Sequence, residues 1–327
     1  MRKILLLFFI SYYVVMVYGQ NIQTTRMMYG DSSRIGQPYT KDPFVVNFKG
    51  RYLMYYTIPA AKDQSIGWGI GIAESSNLMN WKKIGELNPL SSDSHEYRGI
   101  CAPCAIIRDG KVHLFYQTYG NGSADAICHA YSLDGVHFER NRTNPVFRPT
   151  GDWNCGRAID AEVFNYKGKY YLYFATRDKA YKRQLLGVAV TSANSTFDRG
   201  SWKQACSAPI LEPVLPWEGN CVEAPSIIKR NGKLYMFYAG NYNNSPQQIG
   251  VAESEDGLTW RRCFTEPFVP CGQKDEWNSS ESGHPGIFDD KKRSYLFFQG
   301  NNTNGKTWLL SNIEVLWNKK LPYLVMN

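Results

Sequence analysis

The sequence predicts an all-β protein, a five-bladed β-propeller built from four-stranded blades. The first observation is a repeated phrase of two apolar or aromatic runs around a tight turn, which begins as DPFVVNFKGRYLMYY at Asp42. Four more copies of the phrase begin at Ala102, Asp160, Glu223 and His284. Their starts are spaced by 60, 58, 63 and 61 residues. A near-constant period of this length indicates a radial repeat rather than a single sandwich.

The second observation is another phrase that follows the first one in most repeats. It is clearest as GVAESEDGLTWRR from Gly250, with partners GIAESSNLMNWKK from Gly71, CHAYSLDGVHFER from Cys128 and the looser GVAVTSANSTFDRGSW from Gly187. Each copy reads as a strand, a polar turn and an aromatic residue that begins another strand. Each repeat therefore supplies about four strands, which is the content of one propeller blade.

The chain begins with a predicted secretory signal over residues 1–19. Arg2 and Lys3 form its charged start, residues 4–18 are apolar and aromatic, and Gly19 is a small residue before a cleavage site. A membrane anchor is the alternative, but the apolar run of about 15 residues is shorter than the ~20 that a spanning helix needs. We therefore expect a secreted or periplasmic protein whose residues 20–327 form a single propeller domain.

Charge and composition exclude some partners. The formal charge is +8, of which Arg2 and Lys3 contribute two, and the remaining basic residues are scattered. This pattern is typical of a solvated surface and not of a nucleic-acid footprint. No later stretch is long and apolar enough to span a membrane. Carbohydrate is the expected partner, and the protein is expected to be a monomer.

The eight cysteines all lie after residue 100. An even number in an exported chain predicts some disulfides, and Cys263 with Cys271 is the expected pair because they flank a short loop. The alternative, that some cysteines are buried free thiols, stays open.

Carboxylates occupy three of the five repeat starts, namely Asp42, Asp160 and Glu223. The innermost strands of a propeller converge on a central tunnel, so these acids are expected to meet at its mouth. Acids that share a small volume repel each other, which costs stability unless they have a function. Glycoside hydrolysis needs one protonated acid and one ionised carboxylate, and a third carboxylate can hold the proton on the acid.

The chain resembles glycoside hydrolase family 43, five-bladed propeller glycosidases of the same clan as family 32, over roughly residues 41–317. The motifs that carry the resemblance are Asp42-Pro43, IDAEVF from Ile159, EAPSI from Glu223 and Gly283-His284. Two positions depart from the common pattern: Ala161 stands where proline is frequent, and Ala224 stands where glycine often follows the glutamate.

The resemblance implies a role for each of these residues. Asp42 would be the general base, Glu223 the general acid, and Asp160 the residue that tunes and orients the acid. His284 would lie in the tunnel, where some relatives hold a structural calcium ion through water, and no other cofactor is implied. The family inverts the anomeric centre, and its usual substrates are arabinofuranosides and xylosides.

Other side chains near the repeat starts are candidates for supporting roles. Arg157, Trp68 and Trp217 are predicted to bind substrate, through hydroxyl contacts for the arginine and ring stacking for the tryptophans. A salt bridge or core packing is the structural alternative for each. Glu218 is the rival to Glu223 as acid, and Glu162 is a candidate second tuning acid because it shares a strand face with Asp160.

Two other functions remain open at this stage. One is a retaining β-fructosidase of the fructan type with Asp42 as nucleophile, which needs carboxylates about 5–5.5 Å apart rather than about 6.5–9.5 Å. The first-blade motif lacks the Trp and Asn that usually precede the Asp in fructan enzymes. The other is a non-catalytic carbohydrate-binding propeller, which would be expected to lose a member of the trio.

Overall fold

The structure is a computed structural model that describes residues 27–92, 95–290 and 293–325. The predicted signal at residues 1–19 lies outside the described residues. Within these three ranges the regular elements are strands and three short 3-10 helices, at Gly122–Ala124, Arg199–Ser201 and Pro216–Glu218. None of the helices described is long and apolar enough to cross a membrane.

The described strands form five four-stranded antiparallel sheets, which confirms the predicted five-bladed propeller. Blade 1 consists of β1 Lys41–Phe48, β2 Arg51–Ile58, β3 Gly69–Ser75 and β4 Lys82–Leu87. Blade 2 consists of β5 Ile100–Arg108, β6 Lys111–Thr118, β7 Ile127–Ser132 and β8 Glu139–Arg140. Blade 3 consists of β9 Ile159–Tyr166, β10 Lys169–Arg177, β11 Gln184–Ser192 and β12 Lys203–Gln204.

The last two blades follow the same order along the chain. Blade 4 consists of β13 Val222–Arg230, β14 Lys233–Gly240, β15 Gln248–Ser254 and β16 Arg261–Arg262. Blade 5 consists of β17 Glu281–Asp289, β18 Ser294–Asn301, β19 Leu309–Trp317 and β20 Pro322–Leu324. The first strand of each blade contacts the first strands of its two neighbours, so β1, β5, β9, β13 and β17 surround the centre.

Tight turns join the first two strands of blades 1 to 4, as the repeated phrase predicts. Lys49 and Gly50 have φ values of 53° and 81°, and Lys167 and Gly168 have 47° and 74°. Two consecutive positive φ angles match the twist of the flanking strands, and glycine tolerates the second position without steric cost.

Five apolar clusters lie between neighbouring blades. Leu53 of blade 1 and Leu114 of blade 2 share one cluster, for example, and Tyr56 of blade 1 shares another with Phe297 of blade 5. The aromatic-rich second strand of each repeat is therefore core, because each blade buries both faces against its neighbours.

The expected disulfide is wrong in this structure. Cys263 and Cys271 are both free thiols and both partly exposed. Instead, the backbone N–H of Cys271 donates to Gln248 Oε1 at 3.2 Å. All eight cysteines lie in the described residues and none forms a disulfide, so the wider expectation of disulfides is wrong as well. The alternative of buried thiols describes Cys101, Cys104, Cys128 and Cys221.

Candidate active site

A β-bulge near the start of every innermost strand positions the predicted catalytic residues. The bulged residue has a left-handed backbone in all five blades, at Asp42 (φ 55°), Ala102 (48°), Asp160 (51°), Ala224 (50°) and His284 (44°). For non-glycine residues this conformation costs of order 1–3 kcal/mol, so the surrounding structure must hold it. A bulge redirects side chains, and here it directs them to the tunnel mouth.

The bulge also corrects the alignment of the repeats. The sequence repeats align Glu223 with Asp42. In the structure, however, Ala224 occupies the bulge position that is equivalent to Asp42. Glu223 precedes the bulge and matches Lys41 of blade 1, because each is the last regularly paired residue before the register shift. Lys41, Asp42 and Glu223 all line the central cavity, since both positions project into it.

The central cavity brings the three predicted catalytic carboxylates together. It has a volume of about 310 Å³ and is lined by Asp42 of blade 1, Asp160 of blade 3, Glu223 of blade 4 and His284 of blade 5. Each of the three carboxylate residues is 7% exposed, so the acids lie at the bottom of the site. Three acids that converge from three blades are the arrangement that the sequence predicts.

Asp42 is held in its ionised form. Burial opposes the charge, but His284, Lys41 and a hydrogen bond from Thr57 lower the pKa of Asp42 well below its usual range. His284 Nδ1 lies 3.0 Å from Asp42 Oδ1. Burial opposes the imidazolium as well, but the charge of Asp42 raises the pKa of His284 to about 9. At neutral pH the two residues therefore form an ion pair.

Asp160 has the opposite electrostatic environment. Burial, and then the negative charge of Glu223, raise the pKa of Asp160 to about 7, against opposing contributions from His284 and Arg157. Asp160 is therefore partly protonated near neutral pH. One carboxylate that stays ionised and one that retains a proton are the two components that acid–base hydrolysis requires.

Two glutamines that sequence reasoning missed fix Glu223. Gln247 Nε2 donates to Glu223 Oε1 at 2.6 Å, and Gln184 Nε2 donates a short hydrogen bond to Glu223 Oε2. Gln247 and Gln184 are fully buried. They stand at or just before the third strand of blades 4 and 3, and a lone glutamine there carries no sequence signal of its function.

Side chains of neighbouring blades also fix the bulges. Gln299 Oε1 accepts from the Asp42 N–H at 2.9 Å, and Gln117 Oε1 accepts from the Asp160 N–H at 2.7 Å. Gln299 and Gln117 pair with the residue before the bulge of their own blades. Blade 5 therefore supplies an acceptor to blade 1, and blade 2 supplies one to blade 3, and these links stabilise the left-handed backbone of both aspartates.

Two further ionisable groups that the sequence did not indicate lie near the carboxylates, the half-buried Lys41 and the fully buried Glu281. Burial opposes the charge of Lys41, but Asp42 and Glu281 raise its pKa. The ammonium group also lies 4.6 Å from the ring centroid of Trp308. Glu281 accepts from Gln299 Nε2 at 2.7 Å, and burial raises its pKa to about 7.

The two other candidate acids lie outside the central cavity and make contacts that stabilise the fold. Glu218 is fully buried, pairs with Arg262 at 2.6 Å and accepts the Tyr238 hydroxyl at 2.7 Å. Glu162 accepts from the Ile227 N–H at 2.9 Å and lines a separate apolar cavity. Neither residue lines the central cavity, so the structure does not place Glu162 beside Asp160 as a second tuning acid.

Two of the three predicted substrate-binding residues line the central cavity, and the third does not. Arg157 and Trp68 line the central cavity. The Trp68 ring packs against Tyr39 and Tyr119, with centroid distances of 5.7 and 5.2 Å, and forms an aromatic wall. Trp217 lies outside the cavity lining: its ring stacks on Tyr238, and its Nε1 donates to a backbone carbonyl at 2.9 Å.

The donor set around His284 does not fit a directly bound metal ion. The described residues contain no group of three or more His, Cys, Asp or Glu side chains that could hold one. Moreover, His284 Nδ1 is engaged by Asp42, and the raised pKa keeps the ring protonated and unable to ligate. The water-mediated calcium ion at His284 stays a prediction, and no catalytic step is derived through it.

A central cavity that holds one ionised carboxylate and a carboxyl group with a raised pKa has the components that glycoside hydrolysis requires. Comparison with known proteins gives the family. The chain belongs to glycosyl hydrolases family 43, whose family model matches residues 35–316. This confirms the resemblance that the motifs indicate.

Individual relatives are distant. An endo-1,4-beta-xylanase from Bacteroides thetaiotaomicron has a TM-score of 0.69 at 21% identity and covers 88% of this chain and 94% of its own. An exo-1,5-alpha-L-arabinanase from a bovine ruminal metagenomic library has a TM-score of 0.66 at 17% identity, with coverage of 88% and 97%. A sucrose-6-phosphate hydrolase from Zymomonas mobilis is 33% identical over 108 residues, which are 29% of this chain and 20% of the relative.

Proposed function

We propose that the protein is an inverting, exo-acting glycosidase that removes terminal arabinofuranosyl or xylosyl units from plant-type polysaccharides or oligosaccharides. The observation that carries the proposal is the convergence of Asp42, Asp160 and Glu223 in one cavity with opposite electrostatic environments. The xylanase and arabinanase neighbours support the choice of pentose substrates.

In this mechanism Asp42 accepts a proton from a water molecule, whose oxygen forms the new bond to the anomeric carbon. The glycosidic C–O bond breaks on the opposite side of the sugar, and Glu223 donates its proton to the departing oxygen. Asp160 is a positioning residue that keeps a proton available to Glu223. Gln184 and Gln247 hold both carboxylate oxygens of Glu223, which fixes the direction of proton donation.

The enclosed shape of the site supports the exo mode. Acids at the bottom of a cavity of about 310 Å³ suit the end of a sugar chain better than its middle. Trp68 offers an apolar ring face to a sugar. The proposal also includes export with removal of residues 1–19, action outside the cytoplasm and a monomeric state. Mass spectrometry of the native protein tests the removal, and sedimentation tests the monomeric state.

A retaining β-fructosidase is the second candidate function, because the sucrose-6-phosphate hydrolase is the relative with the higher local identity. In that mechanism Asp42 attacks the sugar and forms a covalent intermediate. The anomer released first distinguishes the two. Proton NMR that detects inverted sugar in the first minutes supports our proposal, and retained sugar supports the fructosidase mechanism.

Turnover of a substrate panel tests the proposal as a whole. Nitrophenyl arabinofuranoside, xyloside and galactofuranoside and a fructan are incubated with the wild type, with Glu223→Gln and with Asp42→Asn. We expect one pentoside to be cleaved and Asp42→Asn to lose at least about 100-fold in kcat on it, because this variant lacks the proton acceptor. Glu223→Gln should lose as much on an unactivated oligosaccharide of the same pentose, and less on the nitrophenyl glycoside, whose leaving group departs readily without a proton. Glu255→Gln is the matched control, since Glu255 is an exposed acid outside the cavity.

Two results would contradict the proposal. Full activity in either active-site variant would reject the assigned roles. Sugar binding without turnover of any substrate would favour a non-catalytic carbohydrate-binding propeller.

A further inference from the structure

The wall of the cavity that blade 3 provides carries more positive charge than the mechanism uses. Arg157 and Arg177 both line the cavity. Of the other two cations there, His284 pairs with Asp42 at 3.0 Å. Lys41 lies against the Trp308 ring, with its Nζ 4.6 Å from the ring centroid. Burial opposes the charge of Lys41, but the charges of Asp42 and Glu281 raise its pKa. The two arginines are the cations that need a further explanation.

Arg177 is fixed in place without an acidic partner. Its Cζ lies 5.2 Å from the ring centroids of both Tyr181 and Tyr242. Its Nε donates to Gln184 Oε1 at 3.2 Å, and its Nη1 donates to the Tyr181 carbonyl at 3.4 Å. No ion pair involves Arg177 among residues 27–92, 95–290 and 293–325. The guanidinium is therefore held by rings and neutral groups, and its charge is available to a ligand.

Arg157 is only weakly neutralised. Its Nε lies 3.5 Å from Asp125 Oδ2 and makes no hydrogen bond of good geometry, although the atom is buried. Burial raises the pKa of Asp125, against opposing hydrogen bonds and the charge of Arg157. Both guanidinium groups act on Tyr181: burial and the Cys155 thiol raise the pKa of this tyrosine, and the charges of Arg157 and Arg177 oppose that rise.

Gln184 connects the Arg177 guanidinium to the proposed general acid, Glu223. The same amide accepts from Arg177 Nε and donates to Glu223 Oε2. Arg177 is therefore one side chain away from the residue assigned as general acid. The general acid contacts the departing oxygen, so an anion bound at Arg177 belongs to the sugar on the leaving side of the scissile bond.

When a neutral sugar fills the cavity, it would leave Arg177 desolvated without an anionic partner and Arg157 with only its contact to Asp125, which is costly. A guanidinium matches a carboxylate in charge and in planar geometry, and bidentate pairs are among the strongest hydrogen bonds in proteins. We propose that Arg177 and Arg157 bind the carboxylate of a uronosyl unit on the leaving side of the bond. This inference rests on the proposed function and specifies its substrate class.

Direct binding tests the inference without requiring turnover. The probes are methyl β-D-glucuronoside and methyl β-D-glucoside, titrated into the full protein and followed by NMR or calorimetry. We expect the glucuronoside to bind at least about tenfold more tightly, because an ion pair in a buried site adds that much or more. Raising the NaCl concentration should weaken binding of the glucuronoside only.

Variants assign the preference to the two arginines. Arg177→Gln and Arg157→Gln should each reduce the preference about tenfold, whereas Arg177→Lys should keep part of it because it retains the charge. Arg183→Gln is the matched control from the same β10–β11 hairpin, since Arg183 pairs with Glu212 at 2.9 Å. Thermal unfolding of each variant establishes that it is folded.

The outcomes separate the inference from the proposed function. Equal binding of the two glycosides, or a preference that survives both glutamine variants, would overturn the carboxylate site even if neutral substrates are hydrolysed. Glucose 6-phosphate that binds more tightly than the glucuronoside would overturn it in favour of a phosphate ester. A preference for the glucuronoside in a protein that hydrolyses nothing would support the site and reject the glycosidase.

Discussion

At the scale of single residues, the ion pair between His284 and Asp42 gives Asp42 a different protonation state from Asp160. Asp42 and Asp160 are equally buried, so burial alone would raise the pKa of both. The imidazolium 3.0 Å from Asp42 reverses the effect for that residue, whereas Asp160 faces another carboxylate. A histidine in the fifth repeat thus determines the role of an aspartate in the first.

Replacing His284 by glutamine should shift the pH dependence of activity. Without the imidazolium, burial raises the pKa of Asp42, so the base becomes protonated at a higher pH than in the wild type. We expect the acid limb of the kcat/KM profile to move upward by about one to two pH units. His137→Gln is the control, because His137 is an exposed histidine that also pairs with an aspartate. An unchanged acid limb would contradict the role of the pair.

Replacing Gln247 by methionine should lower kcat with little change in KM. Gln247 donates to Glu223 at 2.6 Å, and methionine keeps the volume but removes the donor. Glu223 is neutral in its reactive form, and a hydrogen bond to a neutral group contributes about 0.5–1.5 kcal/mol, so we expect a loss of about two- to tenfold in kcat. Gln248→Met, one residue further along, is the control. Equal kinetics of the two variants would mean that Gln247 does not orient the acid.

At the scale of elements, the sequence predicts the strands well because each repeat restates the same pattern. The positive φ at Lys49-Gly50 and the convergence of the innermost strands follow from that pattern. The β-bulge is harder to predict from the sequence, because one extra residue in a strand leaves the repeat period almost unchanged. The proline after Asp42, Ala102, Ala224 and His284 was the available signal, and it marks Ala224 rather than Glu223 as the bulged residue.

The missed parts of the site have a different cause. Gln184, Gln247 and Glu281 reach the carboxylates from strands and loops outside the repeated phrase. Gln247 reaches Glu223 within blade 4 from 24 positions along the chain, and Gln184 reaches it from blade 3, 39 positions away. Their function therefore depends on the packing of neighbouring strands and blades, which the repeated phrase does not specify. Trp217 shows the converse: an aromatic residue near a blade start that packs against its own blade.

Within strand β9, Glu162 should make stability depend on pH. Burial raises its pKa from 4.5 to about 8, so the folded protein keeps the proton while the unfolded chain ionises. Stability should therefore fall between about pH 4.5 and 8, by at most about 1.4 kcal/mol per pH unit from this group. Glu162→Gln should remove that part of the slope in urea unfolding at pH 5.5, 7 and 8.5.

The control for this measurement is Glu255→Gln, which changes an exposed acid to the same amide. A pH slope that is the same in Glu162→Gln and the control would show that Glu162 is ionised in the folded protein. A parallel loss of stability at all three pH values would instead indicate a packing defect.

At the scale of the whole molecule, residues 27–40 join the last blade to the first. Tyr29 pairs with Leu310 of blade 5, and its hydroxyl lies 2.8 Å from that of Tyr56 in blade 1. Asp31 accepts the Tyr56 hydroxyl at 3.1 Å and pairs with Lys83 of blade 1 at 2.7 Å. Because Lys41 and Asp42 follow directly, this segment also fixes the strand that carries the proposed catalytic base.

Replacing Asp31 by asparagine should weaken the closure of the ring in a pH-dependent way. Burial opposes its charge, but Lys83 and Ser33 lower the pKa of Asp31, so its contribution to stability is present above the unfolded pKa of about 4 and is lost at lower pH. Because Lys83 stays partly exposed, we expect a loss of about 1–3 kcal/mol at pH 7, and a much smaller one at pH 3. Calorimetry at both pH values, beside Asp63→Asn as an exposed control, measures the difference. A lower melting temperature with a single transition would show that the ring unfolds as one unit, whereas no difference from the control at pH 7 would show that the contacts of Asp31 do not contribute to its closure.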